Sequence, residues 1–199
     1  VDAQIVQENY QVRCRPESSQ IERLLVHSSV ARTQPIVWSW KGSANRTVNS
    51  RKLSQSEQRA VGIGEGDVWE ITLNTPASVE FELVGERSIP LTDRFPLTLL
   101  SLPEAATQSG TLLVQSTNSR THLETDMLQS IPAAASGSGP LQVLGSYRYQ
   151  PAHGGRAELL REDAWGASRT AWIWSLDLQT RIGDQGLLMQ RARLRIENV

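Results

Sequence analysis

Three stretches of the chain hold side chains whose types and spacing could do chemistry. His122-Leu123-Glu124-Thr125-Asp126 sets an imidazole and two carboxylates at alternate positions. On a strand these would share a face and offer three ligands to a cation; on a helix they would spread apart. The competing reading is a helix start, with Thr121-His122-Leu123-Glu124 as a capping box and Leu123, Met127 and Leu128 as a buried stripe. A lone imidazole beside two exposed carboxylates is usually solvated surface, so no metal site is assigned. Gly62-Ile63-Gly64-Glu65-Gly66-Asp67 resembles the start of a phosphate or calcium loop. A dinucleotide fingerprint needs its third glycine at position 67, followed by a helix, and a calcium nonapeptide needs glycine at 65. The run is read as a flexible approach to a strand at Val68.

For nucleophilic catalysis there is no Gly-x-Ser-x-Gly elbow, and His27 and His153 stand in unrelated contexts. The carboxylates of Glu80 and Glu82, and of Glu162 and Asp163, point to solvent by pattern, where an unperturbed acid is a poor proton donor near neutrality. The expectation is a non-enzyme with no catalytic residue, no cofactor and no metal. The tryptophans hold more promise. Trp38/Trp40 and Trp172/Trp174 each sit two apart, so each pair projects from one face of a strand. Exposed, such a pair is a platform on which sugar rings stack. Buried, it is core, each ring removing about 150–250 Å² from water. Large rings at alternating positions are more often core, and Trp172 and Trp174 are expected there.

The elements that must position these residues are strands. Leu, Ile, Val and Phe make up roughly a quarter of the 199 residues, enough for a real core. Net charge is −1, which gives no electrostatic reason to bind nucleic acid. No apolar run approaches the ~18 residues of a membrane helix. Cys14 is alone, so the chain has neither an internal disulfide nor a zinc-type cysteine cluster. Short alternating segments bounded by turn residues predict strands at 4–15, 21–27, 36–41, 67–73, 78–84, 97–102, 111–116, 141–149, 156–160, 171–182 and 187–197. In Val79-Glu80-Phe81-Glu82-Leu83 the alternation is strict, so Val79, Phe81 and Leu83 should face a core. Ser54-Gln55-Ser56-Glu57 predicts one short helix by its capping box, and 42–66 otherwise reads as a long surface loop.

The fold class that results is all-β: an antiparallel β-sandwich, or two packed sandwich units. Residues 133–140, Ala-Ala-Ala-Ser-Gly-Ser-Gly-Pro, read as a linker between a unit at 1–132 and a second at 141–199. The two parts share short matches in order. Pro16 meets Pro151, Leu24-Leu25 meets Leu159-Leu160, and Trp38/Trp40 meet Trp172/Trp174, at an offset of 135 and then 134. The second unit is then either the start of a repeat of the first or a convergence of strand patterns. At the C-terminal hairpin, burial favours a register placing Trp172, Trp174, Leu176 and Leu178 beside Ile196, Leu194, Ala192 and Gln190. Both chain ends read as cuts in a longer polypeptide.

Asp67-Val68-Trp69-Glu70-Ile71-Thr72-Leu73, followed by Pro90-Leu91, Pro96-Leu97 and Ser109-Gly110-Thr111-Leu112, resembles uncharacterised β-rich tandem modules of very large bacterial envelope proteins. So does the closing run from Gln190 to Asn198, and together the matches cover about half the chain. The resemblance implies an extracytoplasmic domain, in the periplasm or at the cell surface, that is tandemly repeated and non-enzymatic. Its partners would be neighbouring domains of the same longer chain, other surface proteins or glycans. The expected function is structural or protein-interacting; the alternative is a carbohydrate-binding module that uses the paired tryptophans.

Overall fold

The computed structural model describes residues 5–17, 20–42, 46–117, 121–132 and 141–161, and the backbone alone of 171–182 and 188–198. Fifteen strands account for most of it: β1 (Ile5–Cys14), β2 (Ile21–Ser28), β3 (Val37–Trp40), β4 (Val48–Lys52), β5 (Asp67–Ala77), β6 (Phe81–Pro90), β7 (Arg94–Pro96), β8 (Leu100–Ser101), β9 (Gly110–Ser116), β10 (Thr121–Asp126), β11 (Gln129–Ser130), β12 (Gln142–Tyr149), β13 (Arg156–Arg161), β14 (Ala171–Ile182) and β15 (Leu188–Asn198). One α-helix, α1 (Gln55–Ala60), follows β4. Every pairing is antiparallel, so the fold is the expected all-β, sandwich-like class.

The chain divides into two compact units, Val1–Arg161 and Glu162–Val199. In the first, one core lies between the sheet β1-β6-β3 and the sheet β4-β5-β2-β8. Val12, Trp38, Trp40, Phe81 and Leu83 from the first sheet meet Leu24, Val26, Trp69, Ile71 and Leu73 from the second. A second core, with Ile89, Phe95, Leu97, Val114, Ala157 and Leu159, lies among β10-β13-β7 and β11-β12-β9. The strands β1 and β6 serve both: Val12 and Phe81 belong to the first core, Val6 and Ile89 to the second. Ten residues at about 3.3 Å each give the ~33 Å such a span requires.

The expected boundary at 133–140 does not separate the strands. β12 pairs with β9 and β11, and β13 with β7 and β10, so residues 142–161 are tied to strands before position 132. Long-range pairing outweighs local composition here; the linker run itself lies outside the described residues.

Local chemistry explains several departures. Thr121–Glu124 forms strand rather than a helical turn, because Leu123 points toward the second core and the segment ladders along β13. The Ser54 capping box does form, Ser54 Oγ accepting from the Glu57 amide while Glu57 accepts from the Ser54 amide at 2.8 Å. The polar stretch 42–66 is only partly loop, since β4 runs through it as a highly exposed edge strand. Val79 lies before β6 and is 66% exposed, so the predicted alternation begins at Phe81 and runs on to Ile89. Pro76 falls inside β5, where the pairing with β2 skips from Thr72 to Ala77, a bulge that tolerates a missing donor.

In the second unit, β14 and β15 form the expected hairpin in another register. Leu176 opposes Leu194, Leu178 opposes Ala192 and Asp177 opposes Arg193, two residues from the expected partners. The strands resume pairing at Ile182 and Leu188, which leaves a longer connection than a three-residue turn; near the start of β14 the offset is one residue, with Trp172 opposing Glu197 instead of the expected Ile196. An irregularity between Ile173 and Ser175 takes Trp174 out of the ladder. The side chains of Trp172 and Trp174 lie outside the described residues.

Candidate functional site

The two cores meet at a buried polar waist, built where β1 and β6 cross from one to the other. Glu8 and Arg87 are direct cross-strand partners on the inward face and are 8% and 4% exposed. Arg87 Nε donates to Glu8 Oε2 at 2.6 Å, and Arg87 Nη2 donates to Thr98 Oγ1 at 2.7 Å. The Thr98 amide donates to Glu8 Oε1 at 3.3 Å, and Tyr10 Oη donates to Glu8 Oε2 at 2.5 Å. Glu8 thus gathers a guanidinium, a phenol and a backbone amide. Burial, and then the Glu8 charge, push the Tyr10 phenol well above its ordinary range, so it stays a donor at any physiological pH.

Arg32 lies beside the waist. Its guanidinium carbon stands 4.2 Å over the Phe95 ring, a cation–π contact, and its Nη2 donates to the Pro96 carbonyl. Asp67 holds this loop in place, accepting from the Arg32 amide at 2.8 Å and pairing with Lys52 Nζ at 2.7 Å. In the segment that crosses the waist, Leu97 to Leu102, the Leu97 amide donates to the Ala157 carbonyl and β8 ladders on β2, while other amides donate to side chains. Ser29 Oγ accepts from Leu99, Tyr149 Oη from Leu100 and Gln108 Oε1 from Leu102.

Trp38 and Trp40 are core residues, 6% and 9% exposed. The Trp38 ring lies against Gly85, whose place a Cβ would contest at 2.8 Å, and Tyr10 stacks on it at 6.1 Å. Trp40 stacks on Phe81 at 5.1 Å with Arg46 at 4.9 Å from its ring. A sugar platform needs an open face, so the carbohydrate reading does not hold for this pair.

His122, Glu124 and Asp126 share the solvent side of β10, as a strand requires, but form no convergent ligand set; among the described residues no cluster of three potential ligands occurs. Gly62 and Gly66 take positive φ, and a Cβ at Gly66 would lie 2.1 Å from the Ser28 carbonyl. That glycine run is a tight approach to β5, which begins at Asp67. His27 does meet a serine. Its Nδ1 lies 3.0 Å from Ser101 Oγ and its Nε2 lies 3.0 Å from the Glu65 carbonyl. With Nε2–H donated to that carbonyl, Nδ1 accepts the Ser101 hydroxyl proton. Since His27 and Ser101 are cross-strand partners of β2 and β8, the bond clamps that pairing. Glu80 and Glu82 face outward as expected, Glu82 pairing with Lys41 and Arg13, and the Lys41 bond holds its carboxyl below the usual range.

A groove of about 1,400 Å³ runs between β1 and β9, floored by Leu97–Leu102 and Tyr149. Comparison with protein-family models, with curated proteins and with solved structures finds no match. No helix among the described residues is long and apolar enough to cross a membrane.

Proposed function

We propose that the chain is a non-catalytic structural or protein-interaction module of a large bacterial extracytoplasmic protein. The observation that carries this reading is the pair of cores threaded by the same two strands and pinned at the Glu8–Arg87 waist. The groups best suited to chemistry are occupied in holding that frame. Glu8 accepts from three donors, both His27 nitrogens bond within the fold, and the tryptophans of the first core are covered. A module of this kind sets distance and orientation between its neighbours and offers its edges to partners.

The test uses the purified chain on a glycan array, with a panel of ester and peptide substrates assayed beside it. The reading expects neither saturable sugar binding nor turnover. Sugar binding lost in Trp172→Ala or Trp174→Ala would establish the carbohydrate alternative in its place, and turnover lost in Ser101→Ala would make the chain an enzyme.

A further inference from the structure

The groove between β1 and β9 is bounded by strand edges rather than faces. Consecutive residues line it, all of Ile5 to Arg13 on one side and all of Gly110 to Gln115 on the other, whereas a groove over a sheet face touches alternate residues. Each strand ends its sheet: among the described strands β1 pairs with β6 alone and β9 with β12 alone. Proteins usually blunt such edges with lysine, proline or an inward charge. These edges carry no lysine or proline, and the one inward charge, Glu8, is neutralised by Arg87. The floor competes little, because the amides of Thr98, Leu99, Leu100 and Leu102 are already bound by side chains.

The dimensions fit one strand. The nine residues of β1 along the groove extend about 30 Å, long enough to ladder a nine-residue strand. A nine-residue strand of about 1 kDa exposes roughly 1,450 Å² when extended, by the unfolded-chain scaling. Losing a little over half of that along two edges and a floor buries about 800 Å² per partner, the size of a specific interface. The charge is also selective: apart from Arg13 at one end and Glu8, which is paired with Arg87, the walls present neutral groups such as Gln7, Asn9, Gln11, Thr111 and Gln115.

We propose that this groove binds an extended, uncharged β-strand of a separate polypeptide, paired through its backbone to β1 and β9. The inference rests on the interaction-module reading and names its partner class. Affinity would come from main-chain hydrogen bonds and specificity from alternate side chains meeting the floor.

The experiment uses the whole chain and a capped nine-residue peptide of alternating valine and threonine. Binding is followed by anisotropy, with hydrogen–deuterium exchange locating the site. In the chain alone, alternate amides of Ile5–Arg13 and Gly110–Gln115 should exchange rapidly; with peptide they should slow by about tenfold or more. A peptide alternating valine and glutamate should bind at least about tenfold more weakly, as should the wild-type peptide to Gln11→Lys and Leu113→Lys, both at exposed positions. Edge amides already protected in the chain alone would overturn the proposal, as would no saturable binding at millimolar peptide. Binding that leaves exchange in β1 and β9 unchanged would also overturn it. A sugar hit or turnover in the earlier screen would instead strike the module reading, whatever the exchange shows.

Discussion

Replacing Glu8 by leucine should be among the costliest single changes in the described fold, and the structure gives the size. The substitution removes the acceptor for Arg87 Nε at 2.6 Å, for Tyr10 Oη at 2.5 Å and for the Thr98 amide at 3.3 Å. Arg87, 4% exposed, would keep Thr98 Oγ1 as its polar partner and carry a buried charge with no counter-ion. Breaking one side of a buried pair costs about 3–5 kcal/mol, and orphaned neutral donors cost about 1–3 kcal/mol each. We expect Glu8→Leu to lose at least about 5 kcal/mol. Arg87→Leu should lose about 3–5 kcal/mol, because Glu8 then keeps the phenol and the amide. The double variant removes both charges together, and should lie well short of the sum, with a coupling energy of at least about 2 kcal/mol. Urea denaturation is the assay. An unchanged slope with a lowered midpoint marks lost stability, and 1 kcal/mol moves Tm by about 2–4 °C at this size. Singles within about 1 kcal/mol of wild type, or a double variant that is simply additive, would refute the assignment of the waist as the joint between the cores.

Three further outcomes follow from local geometry. Gly85→Ala forces a Cβ to 2.8 Å from both Ile36 and Trp38, so it should cost about 1–3 kcal/mol by overpacking, read by thermal melting. Cys14 is buried, and burial pushes its thiol up to about 11. The folded chain should therefore resist alkylation at pH 8 while the urea-unfolded chain reacts quickly. Because the folded state holds its proton longer, the thiol's contribution to stability falls as pH rises from about 9 toward 11, and a Cys14→Ser variant should lose that alkaline dependence. The Glu57 carboxyl is held down to about 2, first by the Ser54 hydroxyl and then by Arg51. Its support for the helix cap is thus full above the ordinary carboxylate range and is lost as pH falls from about 4.5 through 2. A carboxyl titration followed by NMR should place it near 2 in wild type and visibly higher in Ser54→Ala.

What the sequence made legible was local. The β class, the Ser54 cap and most strand positions followed from alternation and turn residues, because those signals depend on neighbours two to four places away. The partition of the chain did not, since it depends on β12 and β13 pairing with strands up to about 65 residues upstream, while the run at 133–140 looks like a linker by composition alone. The waist lay between these cases. Phe81, Leu83, Gly85, Arg87 and Ile89 share one parity along β6, and Val6, Glu8, Tyr10 and Val12 share one along β1. A charged residue at an inward position on each strand is a visible signal, though the β6 alternation reaches Arg87 only beyond Val84, where the predicted strand ends. Recognising the two as partners requires the register, which pairing alone supplies. The same logic applies to Trp38 and Trp40, which lie in the core as their spacing favoured. Alternate spacing says that two rings share a side, but not whether that side faces a core, and only the opposing sheet, with Leu24, Val26 and Trp69, decides it. Residues that hold two cores together are inward by construction, so in a chain of this kind the buried ion pair marks the frame. Any partner must then be sought at the edges, where backbone rather than side-chain chemistry does the recognising.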